Sequence, residues 1–117
     1  MNRLIQLTTT WARDKGILNT TDPKPQMLKV MAEVGELADD LGKGNDPRGE
    51  LGDVLVTLIC LSGILNITLE ESLGLAYEKI SKRNGVMVNG IFVKEGDYAT
   101  GTLVKLPNDS FIYDGDV

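Results

Sequence analysis

The chain has 117 residues, 42% hydrophobic and 25% charged, and its seventeen acids outnumber its twelve bases for a formal charge of -5. That length holds one domain with a modest core, and the acidic balance excludes polymeric nucleic acid as the main partner, because no surplus basic surface can displace its counterions. Histidine is absent, which excludes histidine triads and leaves Asp and Glu as the ionisable machinery.

Residues from Asn2 to about Lys15 form a first expected helix, with Leu4, Leu7 and Trp11 on its apolar side and Gly16 as its stop. Trp11 is read as a core residue rather than a base-stacking platform. Asp22-Pro23 has the cap-then-proline chemistry of a helix start, and Leu28, Met31, Gly35 and Ala38 give the helix that follows an apolar stripe. Gly42, Gly44 and Asn45 end it. Asp46-Pro47 repeats the start signal for a third helix reaching about Leu65, and the run Val54–Leu61 makes this helix the most buried. Cys60 lies within that run, so a buried thiol in a reducing compartment is expected. Thr68-x-x-Glu71 is a capping box opening a fourth helix from Leu69 to about Arg83, and Gly85 supplies the exit.

Beyond Gly85 the pattern turns to strands. Met87–Val93 is interrupted by Asn89-Gly90, a hairpin signal, and Thr102–Leu106 and Phe111–Tyr113 add short strands. Turns are expected at Glu95-Gly96-Asp97 and Pro107-Asn108-Asp109. The fold class is therefore mainly α, a four-helix bundle with a small C-terminal β-ribbon or meander. Residues 1–117 read as a single domain, with 1–85 as the helical body and 86–117 as a β-rich extension. No secretory segment opens the chain and no apolar stretch is long enough to span a membrane, so no membrane and a cytoplasmic location are expected.

Glu33-x-x-Glu36 and Glu50-x-x-Asp53 carry the chemistry. Residues three apart on a helix lie roughly 5–6 Å apart at Cβ, so each pair shares a face. The short Gly- and Pro-containing break favours an antiparallel return that aims all four acids at one volume. Crowded carboxylates raise one another's pKa unless a cation neutralises them, and Mg2+ suits an all-oxygen site that also takes phosphate. The alternative is an ordinary solvated acidic face. Asp40 is a candidate outer-shell acid. Lys79, Lys82 and Arg83 cluster near the end of helix four and suit phosphate oxygens or simple helix-end stabilisation. Asn84 suits a cap or a polar substrate contact.

The stretch Lys29-Val30-Met31-Ala32-Glu33-Val34-Gly35-Glu36-Leu37, followed by Glu50-Leu51-Gly52-Asp53-Val54-Leu55, resembles the MazG-like all-α nucleoside triphosphate pyrophosphohydrolases. The likeness extends through Lys79–Arg83 to about Glu95. The family pattern is often Glu-Glu-x-x-Glu then Glu-x-x-Asp; here Ala32 stands at the first acidic position, as in some dCTP-pyrophosphatase-like relatives. The resemblance implies that Glu33, Glu36, Glu50 and Asp53 coordinate one or two Mg2+ ions, with Mn2+ as a substitute. It also implies that Lys79 and Arg83 contact phosphates and that a nucleoside triphosphate or dNTP is hydrolysed between its α and β phosphorus atoms. A homodimer or dimer of dimers follows from the same likeness. Two other classes compete with this enzyme: a non-catalytic nucleotide-binding regulator, and a structural protein-interaction module.

Overall fold

Two Asp-Pro steps set where the central helices begin. The computed structural model describes residues 3–94, 103–105 and 111–113. Its helices are α1 (Arg3–Asp14), α2 (Lys24–Lys43), α3 (Arg48–Ile64) and α4 (Leu69–Ile80), with a 3-10 turn at Ile17–Asn19. Asp22 accepts the Lys24 N–H and Asp46 accepts the Arg48 N–H, each at 3.1 Å, while Pro23 and Pro47 already have helical φ of -78° and -86°. Each carboxylate satisfies an N–H that a helix start leaves unpaired, and each proline stands where no N–H is needed. Gly44 closes α2 at a φ of 73°, and the N–H groups of Gly44 and Asn45 return to the Leu41 and Asp40 carbonyls.

The chain divides into two compact units, Met1–Gly74 and Leu75–Val117, with α4 running across the division. In the first unit α3 is the hub: α2, α1 and the 3-10 turn all pack against it. Val30 of α2 and Val54, Ile59 and Cys60 of α3 are buried there, as is Ala12 of α1. Leu18 of the 3-10 turn lies over Gly63, where a Cβ would stand 2.8 Å from a Leu18 methyl, so glycine makes this close approach available. The Cys60 thiol is buried as expected, and burial raises its pKa.

Thr68 caps α4. Its hydroxyl accepts the Glu71 N–H at 3.0 Å and lies 2.9 Å from a Glu71 carboxylate oxygen, to which it donates. The capping box forms, although Glu71 takes the hydroxyl proton rather than reaching the Thr68 backbone. Helix four stops at Ile80, short of the expected Arg83; Ser81 and Lys82 continue as a turn, and the Lys82 and Arg83 N–H groups reach the Lys79 and Ile80 carbonyls.

The second unit carries a sheet of β1 (Gly85–Val88), β2 (Ile91–Lys94), β3 (Leu103–Lys105) and β4 (Phe111–Tyr113) in the order β2-β1-β4-β3. Asn89 and Gly90 both have positive φ, 50° and 80°, as a two-residue type I′ hairpin turn requires, and Val88 pairs with Ile91 across it. A second antiparallel pair, β3 with β4, joins the first through a parallel pairing of β4 with β1. The turns expected at Glu95-Gly96-Asp97 and Pro107-Asn108-Asp109 lie outside the described residues. Among the described residues, no single helix is long and apolar enough to cross a membrane.

Two expected apolar stripes are left exposed, and on α2 these are Leu28, Met31, Gly35 and Ala38. Trp11 is 47% exposed, and Leu4 and Leu7 on the same stripe of α1 are exposed as well. The less exposed side of α1 is instead that of Ile5, Thr9 and Ala12.

Candidate metal centre

The four acids sit on two helices that run in opposite directions. Gln26 of α2 bonds to the Thr57 carbonyl of α3 at 3.1 Å, while Glu33, further along α2, meets Glu50, further back on α3. Glu33 belongs to the helix face that Gln26 and Val30 bury against α3, and it is itself half-buried. Glu50 lies in the first turn of α3 and Asp53 one turn on. Carboxylate oxygens of Glu33, Glu50 and Asp53 all lie within 4.8 Å of one another. Glu36, exposed and one turn beyond Glu33, joins the edge of the group through Glu33.

The electrostatics of this group are strained. Glu50 is pushed up to about 7, first by its hydrogen bond with Glu33, then by burial and by the charges of Glu36, Glu33 and Asp53. Glu36 is also raised, chiefly by the Glu33 carboxyl beside it. Two of the oxygens, Glu33 Oε2 and Glu50 Oε2, are buried and receive no hydrogen bond. Buried acceptors are ordinarily satisfied, and a buried anion without a partner is costly. A hard cation fits this donor set: Glu33, Glu50 and Asp53 would hold it, and its charge would offset the neighbouring carboxylates that contribute to raising Glu50.

Other expected site residues are placed differently. Asp40 sits at the end of α2, where its carboxylate accepts the Asn45 side-chain amide at 3.3 Å. Lys82 lies 3.7 Å from Glu78 in an exposed pair, while Lys79, Arg83 and Asn84 are exposed residues of the second unit. Arg48, the base nearest the acids in sequence, is committed to Asp46 at 2.7 Å, and that pair holds the Asp46 carboxyl below its usual range. A cavity of about 380 Å3, lined in part by Ile5, Thr9, Arg13, Gly63 and Thr68, contains none of the four acids. Sequence reasoning missed Gln26. The signal available was a polar residue at the apolar side of α2, seven positions before Glu33.

A helical pair presenting clustered carboxylates from both members has the donor chemistry that an oxygen-binding cation takes. The chain belongs to the family of the MazG nucleotide pyrophosphohydrolase domain, whose model matches residues 22–87, more than half of its length. It is also similar to an uncharacterised 18.2 kDa protein from the rep-hol intergenic region of Haemophilus phage HP1 (strain HP1c1), with 31% identity over 65 residues. That match covers 53% of this chain and 39% of the phage protein, so the chain spans about two-fifths of its relative. No solved structure matches.

Proposed function

We propose that the protein hydrolyses a nucleoside triphosphate, with deoxynucleoside triphosphates among its substrates, to the monophosphate and pyrophosphate. The observation that carries this reading is the convergence of Glu33, Glu50 and Asp53 within 4.8 Å, with two buried oxygens lacking a donor, in a chain of the pyrophosphohydrolase family. Glu33, Glu50 and Asp53 would hold Mg2+, with Glu36 completing the set at its exposed side. Bound there, the cation supplies charge neutralisation for the phosphates and acidifies water. A carboxylate of this group that is not fully committed to the cation would accept the proton of the attacking water. Lys79 and Arg83 are assigned to phosphate oxygens from the family likeness and Lys82 from its clustering with them in sequence, with Asp40 and Asn84 as supporting polar groups.

The reading includes a homodimer or a dimer of such dimers. Beside its buried face, α2 carries Met27, Leu28, Met31, Val34 and Leu41, all more than 40% exposed, and α3 leaves Leu51 and Leu55 open although it is apolar over most of its circumference. Helices of that kind are normally covered, and a second copy would cover them. Incubation with a panel of ribo- and deoxyribonucleoside triphosphates and Mg2+, with products resolved by anion exchange, tests the activity. Monophosphate with an equal amount of pyrophosphate is expected. Tight nucleotide binding without turnover would instead favour the regulator class and refute the enzyme.

A further inference from the structure

Gln26 stands apart from the acidic group. It is a buried polar side chain, 7% exposed, and its Nε2 donates to the Thr57 carbonyl at 3.1 Å, tying α2 to α3 across 31 residues of sequence. Gln26 and Glu33 are seven residues apart on α2, and Glu50 and Thr57 are seven apart on α3. Seven residues are about two helical turns, which return to nearly the same face. Because the helices run in opposite directions, the Gln26–Thr57 bond and the Glu33–Glu50 contact are two layers of one axial register.

Apolar packing does not by itself fix that register. The α2 positions that meet α3 recur every three or four residues, as do the apolar residues of α3. A slip of one turn therefore keeps the same helix faces together. Such a slip displaces one helix by about 5.4 Å. That is more than the 4.8 Å now spanning the oxygens of Glu33, Glu50 and Asp53, so Glu33 would leave the group and Glu36, one turn on and exposed, would stand nearer its place. A directional polar contact discriminates where apolar packing does not, as buried polar residues do in coiled-coil seams.

We propose that Gln26 is a positioning residue for the acidic site: its bond to the Thr57 carbonyl locks the axial register that brings Glu33 to Glu50 and Asp53. The inference rests on the reading of that group as a divalent-cation site. Its role is one of placement, since Gln26 itself lies two turns from the acids.

The test is calorimetric titration of Mn2+ into the full chain as wild type, Gln26→Met and Glu50→Gln, with thermal unfolding of each metal-free protein. Methionine keeps the length and apolar volume of glutamine and removes the donor. Gln26→Met is expected to unfold at or near the wild-type temperature while Mn2+ affinity falls by about tenfold or more, the range seen when groups that orient metal ligands are lost. Gln26→Asn keeps the amide one methylene too short, and is expected to lose affinity likewise. Folded Gln26→Met or Gln26→Asn binding Mn2+ within twofold of wild type, beside a Glu50→Gln that does not bind, would overturn the role of Gln26 and leave the cation site standing. Failure of both Gln26 variants to fold would make Gln26 a structural residue only and overturn the proposal. A wild-type chain that binds no Mn2+ would remove the cation site and, with it, the positioning role.

Discussion

At the scale of single residues, Glu50 concentrates the conflict that the cation site would resolve. Its ordinary carboxyl value is 4.5 and in the fold it lies at about 7, so the fold favours its neutral form. A folded-state value above the unfolded one contributes stability that is fully present below about 4.5 and lost as pH rises through about 7. The metal-free protein is therefore expected to unfold at progressively lower temperature as the buffer is raised across that window. Glu50→Gln should flatten this dependence and raise the unfolding temperature at the alkaline end, while abolishing turnover. Thermal unfolding at a series of pH values in the presence of a chelator checks it; identical pH profiles for the two proteins would contradict the assigned environment of Glu50. Ala32, at the first acidic position of the family pattern, is exposed on α2 and leaves the three-acid group intact.

At the scale of elements, local chemistry made much of the layout legible. Asp22-Pro23, Asp46-Pro47 and Thr68-x-x-Glu71 marked helix starts through caps that the structure contains, and Asn89-Gly90 marked a hairpin through its two positive φ angles. The acids were legible as i,i+3 pairs because spacing fixes a shared helix face. Their axial match across two helices was not, because spacing within one helix carries no information about its offset from another; Gln26 bears on that offset. Gly85 was legible only as a helix exit, whereas in the sheet a Cβ at this position would collide with the Val93 carbonyl and lie 2.6 Å from the Phe92 ring. Gly85→Ala is thus expected to destabilise the β1–β2 ribbon by about 1–3 kcal/mol, the usual cost of overpacking. Hydrogen exchange at the amides of β1 and β2 would report faster opening, and wild-type rates would refute the close approach.

At the scale of the whole molecule, many apolar side chains among the described residues are exposed. Leu4, Leu7 and Trp11 on α1, and Leu28, Met31 and Leu41 on α2, are all exposed. Periodicity foresaw these stripes but could not say whether anything covers them, because the pattern within one helix carries no information about its neighbours. Self-association through α2 is expected, and Met31→Lys should lower it, since a charge there would be buried against an apolar face. Sedimentation at micromolar concentration checks this: wild type should run as a dimer or larger and Met31→Lys as a smaller species, whereas a monomeric wild type would refute the assembly. The central claim remains that acids from α2 and α3 hold a cation for pyrophosphohydrolysis. Its most direct measurement is product analysis on the nucleotide panel, run with Mg2+ and with a chelator on wild type and Glu50→Gln. Monophosphate and pyrophosphate formed in equal amounts by wild type with Mg2+ alone is the result expected. Release of orthophosphate as the primary product, turnover that persists with the chelator, or no turnover of any nucleotide would contradict it.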